Sequence, residues 1–148
     1  MSLIEYGADS IEVEKYLSHF NNKKIPEGAG ENIGNKNYKI FGFTIENIGI
    51  VSLCILLVIE KTALITGIST SPQHLRKGYA TKMISELEYL QLDDYILGAY
   101  AINANSMDCF IKCGFTDIRK DIMELSKHFF IFNDYVNVVK YINYNKNT

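Results

Sequence analysis

The sequence predicts a mixed α/β domain of the α+β kind, and three observations carry that prediction. Tyr38–Thr44, Gly49–Ile59 and Thr62–Thr70 are dense in β-branched and aromatic residues and are joined by short polar links such as Glu46-Asn47 and Glu60-Lys61, which implies antiparallel neighbours. After Pro72 the hydrophobic period changes to that of a helix, and Tyr95–Ala101 then returns as an apolar run, so a strand, a helix and a strand form a parallel pair with a helical crossover. The chain is 148 residues with 47% hydrophobic content, the size at which a single core is commonest, so residues 1–148 are read as one domain.

Taken in order, Asp9-Ser10-Ile11-Glu12 has the spacing of a capping box with Asp9 as the cap, and Val13, Tyr16, Leu17 and Phe20 follow at helical spacing. A helix is expected over 10–20. Residues 21–37 are rich in Asn, Gly and Lys, with only two isoleucines to bury, and read as one long loop. The three strands follow. Ala80, Met83, Ile84, Leu87 and Leu90 mark one face of a helix over about 77–91. Asn103 opens a short helix that ends at Cys113-Gly114, where glycine suits the left-handed position after a helix. His128–Phe132 and Tyr135–Ile142 flank Asn133-Asp134 as a hairpin, and residues 116–127 carry no clear period.

Composition removes several function classes. A formal charge of −2 leaves no summed basic field for a nucleic-acid backbone. The longest apolar run, Ile48 to Ile59, is interrupted by Gly49 and Ser52 and falls short of the about 20 residues of a spanning helix, so a buried strand is expected and no membrane contact. No stretch repeats at the period of a solenoid or propeller. Three cysteines, Cys54, Cys109 and Cys113, have no paired spacing, and MSLIEYGADS lacks a basic segment before an apolar one; the expected location is cytoplasmic, with reduced thiols.

The chemistry concentrates at the join between the third strand and the crossover helix, Ile68-Ser69-Thr70-Ser71-Pro72-Gln73-His74-Leu75-Arg76-Lys77-Gly78-Tyr79-Ala80-Thr81. Gly78 lets a ligand approach the backbone closely, Ala80 keeps the first turn small, and unpaired N–H groups at a helix start favour an anion. Arg76 and Lys77 add positive charge beside it, so the turn suits a diphosphate. It also has a plain reading, as a helix start with a glycine and two solvated basic residues. Neither a Walker loop nor a GxGxxG fingerprint is present.

Leu75-Arg76-Lys77-Gly78-Tyr79-Ala80 resembles the acyl-CoA signature of the GNAT superfamily of N-acetyltransferases, which reads Gln or Arg, two residues, Gly, one residue, then Gly or Ala. Leu75 replaces the usual polar residue, with Gln73 and Arg76 close enough to substitute for it. A second stretch, Asn103 to Phe115, is similar to that family's closing motif: an Asn, a short helix, an aromatic residue, then Lys112, one residue and Gly114-Phe115. The tyrosine that many members use to protonate the departing thiolate falls at Phe110, which has no ionisable hydrogen. The two motifs and the strand order cover 38–142; residues 1–37 match in outline, as the helical pair that flanks the acceptor site.

The resemblance implies a central sheet of about six to seven strands, mostly antiparallel and flanked by helices, whose parallel crossover pair splays to hold CoA. It implies acetyl-CoA as cosubstrate, a primary amine as acceptor, no metal, and direct attack in a ternary complex. Carried onto this chain, Thr70 pairs with pantetheine, the Ile68 N–H polarises the thioester carbonyl, and Leu75, Arg76, Lys77, Gly78, Tyr79, Ala80 and Thr81 hold the pyrophosphate with Gln73. Asn103 and Ser106 approach pantetheine from the other side. Tyr100, at the end of the strand beside the gap, is the candidate acid or thiolate partner, or a core tyrosine with a satisfied hydroxyl. No base is identifiable from sequence: Glu46 and Glu60 sit at strand joints, where solvated turn residues are the usual finding.

His74 reads as a phosphate-adjacent or solvated group, and His19 and His128 have no partner visible in sequence. Cys109 and Cys113 share a helix face but lack a second ligand pair, so they read as small core hydrophobes. The acceptor pocket is expected from residues 21–37 and the stretch after 116. Two further readings stand beside the enzyme: a non-catalytic CoA-binding module, motivated by Leu75 and Phe110, and a homodimer joined through an exposed carboxy-terminal strand.

Overall fold

In a computed structural model, residues 2–7, 9–18, 32–33, 36–90, 95–101, 103–118 and 136–142 are described. The expected meander is β3 (Lys36–Ile45), β4 (Gly49–Ile59) and β5 (Thr62–Thr70), each antiparallel to the next. The crossover runs from β5 through α2 (Tyr79–Glu86) to β6 (Tyr95–Ala99), and β5 and β6 are parallel. Asn103 caps α3 (Ala104–Lys112) in a reciprocal box with Ser106, and Gly114 follows it at φ +90°, as the left-handed position requires.

Four strands complete the sheet. β1 (Ser2–Tyr6) and β2 (Asn32–Ile33) pair with β3, while β7 (Thr116–Asp117) and β8 (Val138–Ile142) close the far side. The order is β1-β3-β4-β5-β6-β8-β7 with β2 also beside β3, eight strands among the described residues. The sheet is therefore mixed and mostly antiparallel, slightly larger than expected because β2 and β7 are only two residues long.

β4 lies in the middle and is buried on both faces, which is why its sequence is an almost unbroken apolar run. Val51, Cys54 and Leu56 face α2 and α3 in the main core with Met83, Leu87, Leu97 and Phe110. Ile50, Leu53 and Ile55 face α1 (Ile11–Leu17), which contributes Val13 and Tyr16. An extra residue on β4 near Val51, against Phe43 and Thr44, resets the alternation between the two faces.

Several boundaries differ from expectation for local reasons. Ser10, not Asp9, caps α1: its Oγ accepts from the Val13 N–H at 3.3 Å and its hydroxyl donates to Glu12 at 2.7 Å. The Ser10 N–H donates to the Gly7 carbonyl, which puts Asp9 inside a turn. The loop of 21–37 ends earlier than expected, because β2 and the first residues of β3 pair within it. α2 stops at Glu86 and tightens into a 3₁₀ turn over Leu87–Tyr89. The carboxy-terminal strand is not an open edge along its start, since Thr116 and Asp117 pair with Val139 and Val138. The expected hairpin at 128–135 lies outside the described residues, as do His19 and His128.

Candidate functional site

β5 and β6 pair only at Thr62, Ala63 and Leu64, opposite Ile96, Leu97 and Gly98. Beyond Leu64, β5 continues to Thr70 without β6, and the two strands part. The gap opens onto a cleft of about 510 Å³ walled by Ile65–Ile68 of β5, Ala80 and Ile84 of α2, Ala99 and Tyr100, and Asn103, Ser106, Cys109 and Phe110 at α3. Its lining is mainly apolar with a few polar groups, as small-molecule clefts usually are.

The hydrogen-bond phase of β5 decides what faces the gap. The Ser71 N–H donates to the Val51 carbonyl at 2.8 Å, and the register continues as Thr70 opposite Ser52, Ser69 opposite Leu53 and Ile68 opposite Cys54. Antiparallel pairs alternate between bonded and non-bonded, so Ser71, Ser69 and Gly67 bond to β4 while Thr70 and Ile68 turn their N–H and C=O groups to the open side. The Ser52 and Thr70 hydroxyls, 2.9 Å apart, suit the closer non-bonded pair. A bulge at Thr66, whose hydroxyl donates to the Ile55 carbonyl at 3.2 Å, marks the floor of the gap.

The gap leads to the turn before α2. Pro72–His74 form one 3₁₀ turn, and the chain then takes left-handed values at Arg76 (φ +64°) and Gly78 (φ +76°) on either side of Lys77. Such alternation turns successive N–H groups to one side, a concavity suited to an anion. Gly78 is the residue before the helix and makes no side-chain cap, so the first N–H groups of α2 are left for another acceptor. A Cβ built on Gly78 meets no atom within 4 Å: the space above this backbone is open. Gln73, Leu75, Arg76 and Lys77 are exposed around it. Tyr79 instead faces the core, with its ring 6.3 Å from Phe43 and 6.2 Å from His74 and the Lys82 ammonium 5.9 Å above it.

Thus Ile68, Thr70, Ala80, Tyr100, Asn103 and Ser106 converge on the gap or border it, and Gln73 and Leu75–Gly78 gather at its outer end. Thr81 is turned to α3, 3.1 Å from the Cys109 sulfur. Tyr100 is half exposed at the cleft wall, not a core tyrosine. Phe110 is buried and meets Phe115 edge to face at 5.0 Å, so this aromatic position serves as cleft wall and core at once. Glu60 stands exposed in the β4–β5 turn at φ +54°, at the far end of β5 from Ile68. Glu46 lines a separate hollow of about 340 Å³ between α1 and the β3–β4 turn, with Glu12, Lys15 and Tyr16. Neither carboxylate lines the cleft.

Cys113 is buried and its thiol is pushed up mainly by desolvation, whereas Cys109 lines the cleft; no group of three metal-ligating side chains occurs among the described residues. Burial pushes the Cys54 thiol up to about 12. Sequence reasoning missed two features here. The Tyr16 hydroxyl reaches across from α1 to Ser69 of β5 at 2.8 Å, and burial pushes it up to about 12 against the lowering effect of that bond. Asn137, just before β8, binds the end of β6 through its carboxamide. Both join residues more than 35 apart in the chain, a separation that no local pattern reports.

No protein-family model and no curated protein sequence matches this chain. Solved structures do. A ribosomal-protein-S18-alanine N-acetyltransferase from Escherichia coli superposes at a TM-score of 0.56 with 14% identity, covering 99% of each chain. A mutant form of the spermidine/spermine N-acetyltransferase SpeG from Vibrio cholerae gives 0.58 with 17% identity, over 95% of this chain and 93% of that one. YhhK from Escherichia coli, solved with coenzyme A bound, gives 0.54 with 11% identity, over 95% and 97%. Among the described residues no helix is long and apolar enough to cross a membrane. At these identities the likeness is one of fold: the chain shares the fold of these acetyltransferases and of a tandem GNAT protein, and so has the GNAT fold.

Proposed function

We propose that this protein is an acetyl-CoA-dependent N-acetyltransferase that acts on a primary amine of a small molecule or peptide. One observation carries the reading. The unpaired edge of β5 at Ile68 and Thr70 faces an apolar cleft that ends at an anion-suited turn with open space above Gly78. Those features match the three parts of acetyl-CoA in order: a thioester, an arm with two amides, and a pyrophosphate.

In this reading the Thr70 backbone pairs with the extended arm as a neighbouring strand would, and Asn103 and Ser106 border it on the opposite wall. The N–H groups of the turn and the first turn of α2 receive the pyrophosphate, with Arg76 and Lys77 adding charge at its exposed rim. Leu75, exposed here, brings no polar contact, so backbone groups and the neighbouring Gln73 and Arg76 do that work. The N–H of Ile68 donates to the thioester oxygen as the amine adds to the carbonyl carbon and negative charge grows on that oxygen. As the carbon–sulfur bond breaks, the Tyr100 hydroxyl gives its proton to the leaving sulfur in place of the tyrosine absent at Phe110. The proton lost by the attacking nitrogen passes through water to restore that hydroxyl, leaving the N-acetyl amide and free CoA thiol. The amine acceptor is supported by two of the structural neighbours, which are N-acetyltransferases for a ribosomal-protein alanine and for spermidine/spermine.

The test is calorimetric titration with acetyl-CoA, followed in the same sample by thiol release over a panel of polyamines, amino acids, aminoglycosides and peptides. Saturable binding with release for one acceptor class is expected. Saturable binding with no release for any amine would mark an inert CoA-binding module, and absence of binding would overturn the reading.

A further inference from the structure

The parting of β5 and β6 needs something to hold β6 on its other side; the β8 ladder holds the strand itself, and one side chain extends that hold past the strand's end. The β6–β8 ladder ends at Ala99 opposite Val138. One residue before that, Asn137 donates its backbone N–H to the Ala99 carbonyl at 3.0 Å. Its carboxamide then continues the ladder after the strand has ended: Oδ1 accepts from the Ala101 N–H at 2.7 Å, and Nδ2 donates to the Ala101 carbonyl at 2.9 Å. Its own carbonyl accepts from the Ile118 N–H at 3.0 Å, tying in the segment after β7. Asn137 is 5% exposed and Ala101 is 7% exposed, so these bonds are not shared with bulk water.

A carboxamide offers one acceptor and two donors in a plane, like a peptide group, so this asparagine acts as one more strand residue. Ala99 and Ala101 are thereby pinned to the β8 side, with Tyr100 between them on the cleft wall. Without the carboxamide, the N–H and C=O of Ala101 lose their partners while buried. Among the described residues, β5 beyond Leu64 is the unpaired strand edge across the cleft from it. Pairing there closes the gap.

We propose that Asn137 is the positioning residue that holds the end of β6 against β8 and so keeps the β5–β6 cleft open. The kinetic readouts rest on the acetyl-transfer reading; the amide readouts do not. Asp at this position keeps an acceptor but presents a negative charge to the Ala101 carbonyl, and Leu keeps the size but neither bond.

The experiment compares the full-length chain with Asn137→Asp and Asn137→Leu by amide hydrogen exchange, melting and acetyl-CoA titration. In the parent protein the Ala101 amide is expected to exchange at least a hundredfold more slowly than an unstructured amide, although it lies outside a regular strand. In the folded variants Ile68 and Thr70 gain protection as they pair with the released Ala101 segment, and acetyl-CoA binds about tenfold more weakly, since only the open fraction is competent. For the same reason KM for acetyl-CoA rises by more than kcat falls. An unprotected Ala101 amide in the parent protein overturns the proposal, a result that needs no variant to fold. So do variants that melt lower yet keep parent exchange at Ile68 and Thr70. If the parent protein binds no acetyl-CoA, the acetyl-transfer reading fails while the exchange results still decide the role of Asn137.

Discussion

Gly78→Ala separates the cost of backbone strain from the cost of blocking a ligand. Gly78 has φ +76°, and an alanine there carries a left-handed penalty of about 1 kcal/mol. The added methyl meets no atom within 4 Å, so no packing term adds to it. For a chain of this size that penalty lowers Tm by about 2–4 °C. Ligand binding responds differently, because the methyl fills the space through which an anion reaches the turn. Loss of one hydrogen bond to a charged phosphate is worth about 1.5–3 kcal/mol, or roughly 10- to 150-fold in Kd. Gly114→Ala is the control: φ is +90° and its Cβ meets the Lys140 Cε and Nζ at 3.3 Å, so it is strained and crowded but outside the cleft lining. Lys140 there holds Glu88 at 3.0 Å and the Cys113 carbonyl at 2.6 Å, so Gly114→Ala should lower Tm by more than Gly78→Ala. The assay is differential scanning calorimetry with acetyl-CoA titration on both variants. Weakened affinity in Gly78→Ala with near-parent affinity in Gly114→Ala is expected; equal affinities in the two would refute the placement of the pyrophosphate.

Phe110→Tyr is expected to keep Tm within a few degrees, because the ring position is a cleft wall, and to raise kcat by offering a second proton donor to the leaving sulfur; a collapsed melting transition would show the position to be sealed. Iodoacetamide should label Cys109 first, with acetyl-CoA slowing the reaction, while Cys54 and Cys113 stay unmodified until the chain unfolds; mass spectrometry of tryptic peptides reads the order. Cys54 and Tyr16 both ionise at higher pH when folded than when unfolded, so their contribution is complete below about pH 9 and is lost as pH rises toward about 12. Urea midpoints measured across that window should fall with pH, and Cys54→Ala should flatten the decline above pH 9. A pH-independent midpoint would show these groups to be solvated.

Much of the candidate cleft and turn was legible because its parts are contiguous. The turn from Ile68 to Thr81 joins a strand to a helix, so its glycine, its small alanine and its basic pair arrive together and carry their spacing in the chain. Asn103 and Ser106 behaved likewise, as a box of local geometry, and the left-handed Gly114 is where the pattern of a helix end put it. β1 was not legible: five residues with a mostly exposed face have too little periodicity to separate from a polar terminus. Asp9 and Ser10 are both good caps, and only the turn from Gly7 to Ser10 chose between them.

By itself, then, the sequence determined the central meander, the parallel crossover, the turn before α2 and the departures at Leu75 and Phe110, because each depends on neighbours within about a dozen residues. Only the tertiary structure decided that β8 inserts between β6 and β7, that Ile68 and Thr70 rather than Ser69 face the gap, and that the Asn137 carboxamide binds both backbone groups of Ala101. The physical reason is hydrogen-bond phase. Which strand edge a backbone group faces is set by its partner strand and by bulges such as that at Thr66, and those pairings join segments that the linear order keeps apart.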